Sequence, residues 1–229
     1  MATNDSKEVL ILQHVPSEGA GTVLDFLEKK KIPFQIIKLY ENDPLPKDLS
    51  AIRAVLIMGG PMNVYEEDKY PFLKKEGIFI KQLISQNISC LGVCLGSQLI
   101  AKALGGKVYK AERPEIGWDR IELSREAKRD PLFSLVSSPS LRVLQWHEDT
   151  FDLPEKAEHL ASSKGVPNQA YRYGDKVYGF QFHVEVNEAM LKDWFKASEK
   201  LDAILAEYAD YAGELRSITH RMVEAFFSL

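Results

Sequence analysis

The sequence of 229 residues predicts an α/β fold, with a doubly wound, mostly parallel sheet flanked by helices and a helical C-terminal extension. Two observations lead to this prediction. Short, almost wholly apolar runs alternate with longer amphipathic stretches through the first half of the chain. Strands that are apolar on both sides are typical of sheets covered by helices on both faces. Because an average domain has ~150 residues, a single large domain is expected.

The first half of the chain supplies the predicted parallel strands and the helices that connect them. Strands are expected at short apolar runs, and helices where apolar residues recur at intervals of three and four. Pro44 and Pro46 predict a loop over residues 41–50, and Gly105-Gly106 predicts the end of a helix. These criteria place strands at residues 9–13, 34–38, 54–58 and 89–93, and helices at residues 22–31, 72–86 and 95–104.

The second half of the chain has a different pattern. Short strand-like runs follow one another closely, at residues 119–123, 141–146, 170–173 and 176–183. From Asn187 onward the sequence has helical patterning and contains no proline. We therefore expect a main domain over residues 1–190 and, over residues 191–229, a helical extension of the same domain.

Composition argues against several classes of protein. Asp and Glu outnumber Lys and Arg by 33 to 29, whereas proteins that bind nucleic acids or anionic membranes normally carry a basic surplus. No apolar run approaches the ~18 residues that span a bilayer, and residues 1–8 lack the apolar core of a secretion signal. A cytoplasmic location is expected. Two cysteines, Cys90 and Cys94, are too few for a disulfide framework or a four-cysteine zinc site.

Cys94 is the candidate nucleophile. It lies in Gly92-Val-Cys94-Leu-Gly96, where a predicted strand meets a predicted helix, and this segment has the G-x-nucleophile-x-G form of a nucleophile elbow. The turn is tight, and glycine on either side removes side chains that would collide with it. The amides at the start of the following helix favour a thiolate. Cys90 lies inside the strand and is expected to be a buried structural residue.

His183 is the candidate base and Glu185 its partner. In residues 176–186, alternation places five apolar side chains on one face of a strand. Gly179, Gln181, His183 and Glu185 lie on the other face. A polar row is unusual on a strand that is otherwise so apolar. Because a cysteine–histidine pair needs a third group to orient the imidazole, the His-x-Glu spacing fits a catalytic triad.

Other histidines offer alternatives to His183. His147 and Asp149 lie together at the end of another predicted strand and are a second choice of base and acid. His14 follows the first predicted strand, and it could border the same cleft because functional groups gather at the carboxyl ends of parallel strands. His159 and His220 are expected to be surface or helix residues.

Three motifs together resemble the class I glutamine amidotransferase family. They are Gly92-Val-Cys-Leu-Gly-Ser-Gln98, Gly59-Gly-Pro61 and Gln181-Phe-His-Val-Glu185, and they occur in the family's order within residues 9 to about 190. The form is most similar to stand-alone proteins that resemble the glutaminase domain of GMP synthase. The resemblance implies a flavodoxin-like catalytic domain that hydrolyses the side-chain amide of glutamine through a γ-glutamyl thioester and releases ammonia.

The resemblance also implies a role for each catalytic residue. Cys94 would be the nucleophile, His183 the general base and acid, and Glu185 the residue that orients the histidine. The backbone amides of Gly60 and Leu95 would form the oxyanion hole. Glycines in a turn after an apolar strand can point an amide inward, which suits that role.

Substrate contacts are implied at four further residues. Gln98 corresponds to a family position that contacts glutamine. Backbone groups near Gln145, Trp146 and His147 would bind the α-amino and α-carboxylate groups. The first two of these residues are bulkier than the small residues that well-known members have before this histidine.

Partners and cofactors follow from what the sequence lacks. It has neither a phosphate-binding loop nor a dinucleotide fingerprint, and the ~100 residues of an average synthetase domain do not fit after residue 190. We expect a small-molecule substrate, no cofactor or metal, and any amination to occur on a separate synthetase subunit. Two alternatives stay open: a γ-glutamyl peptidase that uses the same triad, and a non-catalytic flavodoxin-like stress or scaffold protein with a reactive cysteine.

Overall fold

The computed structural model describes residues 7–229, so residues 1–6, which enter the prediction about the N-terminus, lie outside the described residues. The described part of the chain contains nine strands and five α-helices. The strands are β1 (Glu8–Gln13), β2 (Phe34–Lys38), β3 (Ile52–Ile57), β4 (Ser89–Val93), β5 (Val108–Leu123), β6 (Ser140–Phe151), β7 (Ala157–Ser162), β8 (Ala170–Tyr173) and β9 (Val177–Phe180). The helices are α1 (Thr22–Lys30), α2 (Phe72–Ser85), α3 (Leu95–Ala103), α4 (Glu188–Trp194) and α5 (Leu201–Phe226).

All nine strands form one sheet, in the order β2-β1-β3-β4-β9-β8-β7-β5-β6. The strands from β2 to β9 in this order are parallel, and the strands from β9 to β6 are paired antiparallel. An isolated bridge between Leu144 of β6 and His183 brings the far end of the sheet back beside β9. This curl places the segment after β9 next to the end of β6.

Helices cover both faces of the sheet, as the apolar strands predict. In β1, Val9 and Ile11 belong to a core that contains residues of α1 and α5. Leu10 and Leu12 belong to a second core that contains residues of α2 and α3. Each strand of this type is buried on both sides, which is why its sequence is continuously apolar rather than alternating.

Two strand predictions in the second half need correction. β5 begins at Val108, eleven residues before the predicted start at residue 119, and β7 was not predicted at all. Residues 109–115 of β5 form the outer part of a hairpin with β6 and are mostly exposed and charged, so they show no apolar pattern. Strand pairing alone keeps this segment extended.

The third correction concerns β9, which ends at Phe180 rather than continuing to residue 183. The amide of Cys94 donates to the Phe180 carbonyl, after which the chain leaves β4. His183 instead exchanges backbone hydrogen bonds with Leu144. The apolar row of the prediction is still inward-facing, because Phe182, Val184 and Val186 are all buried.

The C-terminal segment is helical, as predicted. Asn187 caps α4, and its side-chain oxygen accepts a hydrogen bond from the Met190 amide at 3.0 Å. The long helix α5 packs against α1 and α4, and one of its faces is buried in the first core. Among residues 7–229 no helix is both long and apolar enough to cross a membrane.

Candidate active site

The predicted nucleophile elbow is present between β4 and α3. Cys94 has φ of 51° and ψ of −110°, a left-handed backbone that a non-glycine residue rarely adopts. A Cβ atom on Gly92 would lie 2.5 Å from the backbone of Gly96, and one on Gly96 would overlap the carbonyl of Ile57. Both glycines are therefore required by close backbone contacts, and the turn directs the Cys94 side chain into a cavity of about 520 Å³.

The Cys94 thiol has polar neighbours from two other segments. It donates to the backbone carbonyl of Trp146 at 3.6 Å. The Gln181 side-chain amide donates to the sulfur at 3.8 Å, and it also accepts a hydrogen bond from Gln98 at 3.1 Å. The cysteine is therefore held in a polar, largely buried setting that still opens on the cavity.

His183 and Glu185 form a buried pair beside the cysteine. Their side chains are joined through His183 Nδ1 and Glu185 Oε1 at 2.7 Å. Burial by itself would lower the pKa of His183, but the carboxylate of Glu185 and the side chain of Cys94 outweigh this effect and raise the pKa well above its ordinary value. The pair is thus suited to holding a proton next to the sulfur.

The two predicted oxyanion donors lie on opposite sides of Cys94. Gly60 is in the loop after β3, Leu95 is the first residue of α3, and both line the cavity. The amide at the first position of a helix has no partner inside the helix. Within residues 7–229 neither amide donates a hydrogen bond, so both are free to bind a ligand oxygen.

The predicted substrate residues divide into two groups. Gln98, Trp146 and His147 line the cavity. Gln145 does not line it, because its side chain is fully buried and donates to Gln169 at 2.9 Å. The structure thus brings three of the four predicted residues to the cavity.

The second choice of base is bound up in other contacts. Nε2 of His147 pairs with Glu115 of β5 at 3.0 Å, and Nδ1 contacts the backbone carbonyl of Asp149 at 3.1 Å. The predicted His147–Asp149 side-chain pair is therefore not formed. His14 does not line the cavity, but lies buried behind the Gly59-Gly60 turn.

Sequence reasoning missed Glu18 and Trp194, which also line the cavity. Glu18 lies in the loop after β1, and burial raises the pKa of its carboxyl. The Trp194 indole lies 4.9 Å from the His183 ring, between centroids, and 5.5 Å from the Trp146 indole. A loop residue and a residue on a peripheral helix show no periodic pattern, so the sequence gave no indication of either one.

The two cysteines should differ sharply in reactivity. Burial raises the pKa of Cys90 to about 12, and its side chain is fully enclosed. Iodoacetamide followed by peptide mapping should therefore modify Cys94 alone in the folded protein, because a thiolate with access to solvent is the reactive form. Preferential modification of Cys90 would contradict the assignment of the nucleophile.

These residues define a class of enzyme. An α/β fold that presents an elbow cysteine, a histidine and a carboxylate in one cavity, with free backbone amides beside the sulfur, is arranged for acyl transfer through a cysteine nucleophile. No cluster of three or more potential metal-ligating side chains occurs among residues 7–229. Residues 23–195 match the family described as glutamine amidotransferase class-I, a family that includes glutamine-hydrolysing enzymes. The chain belongs to this family.

Individual relatives agree with that assignment. The glutamine amidotransferase-like protein YfeJ of Salmonella typhimurium is 33% identical over 90% of this chain and 85% of its own length. A glutamine-hydrolysing GMP synthase of Porphyromonas gingivalis is 30% identical over 80% of this chain, but the match spans only 33% of that protein. Gamma-glutamyl peptidase 4 of Arabidopsis thaliana is 33% identical over 66% of this chain and 60% of its own length.

A solved structure has the same fold over nearly the whole chain. It is a glutamine amidotransferase from Thermotoga maritima, which superimposes with a TM-score of 0.90 at 32% identity and covers 98% of this chain and 99% of that one. The agreement extends through the C-terminal helices. The predicted α/β fold with flanking helices is therefore confirmed.

Proposed function

We propose that this chain hydrolyses the γ-amide of glutamine through a Cys94–His183–Glu185 triad and releases ammonia. The single observation that carries the proposal is the convergence of these three residues. Cys94 comes from the elbow after β4 and the other two from the segment after β9, yet they meet at one cavity. Membership of an amidotransferase family supplies the substrate class.

In the acylation step the Cys94 sulfur attacks the γ-carbonyl carbon of the substrate. The carbonyl oxygen becomes an oxyanion, which the amides of Gly60 and Leu95 stabilise. His183 then protonates the amide nitrogen, the C–N bond breaks, and ammonia leaves a γ-glutamyl thioester on the enzyme. Glu185 keeps the imidazole oriented and stabilises its charged form.

In the second step a water molecule attacks the thioester. His183 takes a proton from the water, the tetrahedral intermediate collapses, and the C–S bond breaks. Glutamate leaves and the sulfur recovers its starting state. No cofactor enters either step, because the same histidine donates and accepts the proton.

We further propose that any ammonia acceptor is aminated on a separate chain. The relative named GMP synthase is about three times as long as its match to this chain, which spans 33% of it. The remaining length of that protein has no counterpart here. A synthetase subunit that docks near the cavity is the partner this arrangement calls for.

A second candidate function is γ-glutamyl peptide hydrolysis. Trp146 and Trp194 form an aromatic wall on the cavity, a surface that a peptide leaving group can contact and that ammonia does not need. A volume of about 520 Å³ lies within the ~300–1,000 Å³ of pockets that hold drug-sized ligands. The relative named gamma-glutamyl peptidase 4 favours the same candidate.

The test compares kcat/KM of the purified chain for glutamine, γ-glutamyl dipeptides and glutathione conjugates, with the Cys94→Ala variant as blank. We expect glutamate and ammonia in equal amounts from glutamine, with a rate that rises severalfold when a synthetase-containing lysate is added. Efficient peptide cleavage by the chain alone would favour the peptidase instead. Release of glutamate from no substrate above the blank would contradict both candidates and leave the non-catalytic alternative.

A further inference from the structure

A buried ion pair lies directly behind the predicted oxyanion turn. His14 follows β1 and Glu76 is on α2, and both side chains are 0% exposed. Nε2 of His14 lies 3.0 and 3.1 Å from the two carboxylate oxygens of Glu76. The other ring nitrogen, Nδ1, lies 3.0 Å from the backbone carbonyl oxygen of Gly59. Neither residue lines the cavity, and neither takes part in the proposed reaction steps.

The protonation of His14 follows from its partners. A carbonyl oxygen only accepts hydrogen bonds, so Nδ1 carries a hydrogen and donates it to Gly59. Nε2 faces a carboxylate and donates to it. Burial alone would lower the pKa of His14, but Glu76 and the Gly59 carbonyl raise it above its ordinary value. The ring is therefore a charged donor at both nitrogens.

The Gly59 carbonyl and the Gly60 amide belong to the same planar peptide unit. Fixing the carbonyl oxygen on one side therefore fixes the N–H on the opposite side. A charged donor at the carbonyl also polarises the peptide, which strengthens the hydrogen bond that its N–H can donate. The turn has no spare room: a Cβ atom on Gly60 would lie 2.6 Å from the sulfur of Met62 and 3.0 Å from the Cβ of His14.

Stability alone gives little reason to keep this pair. A buried ion pair costs several kcal/mol of desolvation for each ion, and well-packed apolar residues of similar volume often stabilise a core as well or better. The surroundings are apolar, with the Phe72 ring 6.1 Å from that of His14, between centroids. A role in the site accounts for the pair better than a role in folding does.

We propose that His14 and Glu76 are positioning residues that hold the Gly59–Gly60 peptide with its amide directed at the cavity, and so build half of the oxyanion hole. This inference rests on the proposed function only in assigning Cys94 as the attacking group. Glu76 acts through His14, and His14 acts through the peptide. Neither residue touches the substrate.

Two reagents that react with the same thiol separate positioning from general structure. p-Nitrophenyl acetate acylates Cys94 through a tetrahedral oxyanion, whereas iodoacetamide alkylates it by direct displacement without one. The ratio of the two rate constants therefore reports the oxyanion hole, whatever the natural substrate is. Failure of the proposed function would appear as absent glutamine and peptide turnover in the unmodified protein, which leaves this ratio measurable.

The informative variant is His14→Phe/Glu76→Leu, because it removes both charges and leaves neither one unpaired in the core. We expect its acylation rate to fall about 10- to 100-fold, somewhat less than the ~10²–10³-fold cost of deleting an oxyanion donor outright. Its alkylation rate should change by less than about twofold, since displacement forms no oxyanion. His14→Asn/Glu76→Leu restores an N–H donor close to the position of Nδ1 and should recover much of the acylation rate.

Tyr178→Phe serves as a matched control, because it deletes a buried hydrogen bond, to Asp130 at 3.1 Å, elsewhere in the sheet. Both of its rates should match those of the unmodified protein. A parallel fall of acylation and alkylation in the double variant would indicate a merely structural pair and overturn the proposal. So would an unchanged ratio, or a His14→Asn variant that recovers nothing.

Discussion

Replacing Cys94 with alanine should reduce kcat/KM for glutamine and γ-glutamyl substrates by about 10⁴-fold or more, the scale of loss when a triad nucleophile is removed. Without the sulfur no thioester can form, and the remaining groups only bind the substrate and polarise its carbonyl. The fold should survive, because the side chain lies at the edge of a cavity and alanine fits the same turn. Steady-state assays with a melting curve for each variant provide the measurement.

Cys90→Ala is the natural control for that experiment. Cys90 lies four residues earlier, inside β4, and is fully buried on the opposite side of the strand from the first core. Its replacement should lower stability modestly, as loss of a buried side-chain atom does, and leave kcat unchanged. A loss of turnover in Cys90→Ala together with retained turnover in Cys94→Ala would reverse the assignment.

Replacing His183 with alanine should abolish turnover almost as completely, since no other group is placed to protonate the leaving amine. Glu185→Gln should keep a residual rate, because the proton carrier is still present and only its orientation and charge stabilisation are lost. Glu185 raises the pKa of His183, so its loss should lower that pKa. If the reaction requires the imidazolium, the basic limb of the kcat/KM profile should then move to lower pH.

The competing histidine gives this prediction its contrast. His147 lines the cavity, but its ring contacts Glu115 and the backbone of Asp149 rather than the cysteine. His147→Ala should therefore weaken substrate binding more than chemistry, with KM affected more than kcat. Retained turnover in His183→Ala combined with its loss in His147→Ala would mean that His147 is the base.

The parts of the fold that the sequence predicts well are those buried on both faces. β1, β3 and β4 are apolar along their whole length because helices cover both sides of the sheet, so composition alone identifies them. The elbow is predictable for a similar reason, since Gly92 and Gly96 are needed by backbone contacts within a few residues. Local physical requirements leave local sequence patterns.

The parts that escaped prediction depend on contacts between distant segments. The outer half of β5 is extended only because β6 pairs with it, and its exposed charged residues show no pattern. Trp194 approaches His183 because α4 packs over the end of β9, which no spacing in the sequence reveals. The pairing of His14 with Glu76 likewise joins residues 62 positions apart. Such arrangements require the three-dimensional structure.

The position of Trp194 on a short peripheral helix separates what selection must preserve from what it can vary. Cys94 and His183 are tied to the ends of central strands, where an exchange disturbs packing on both faces of the sheet. Trp194 is exposed enough to be replaced with little effect on the core, yet it contacts the histidine and shapes one wall of the cavity. New substrate preferences can therefore evolve by exchanges on this one helix, while the inherited chemistry stays intact.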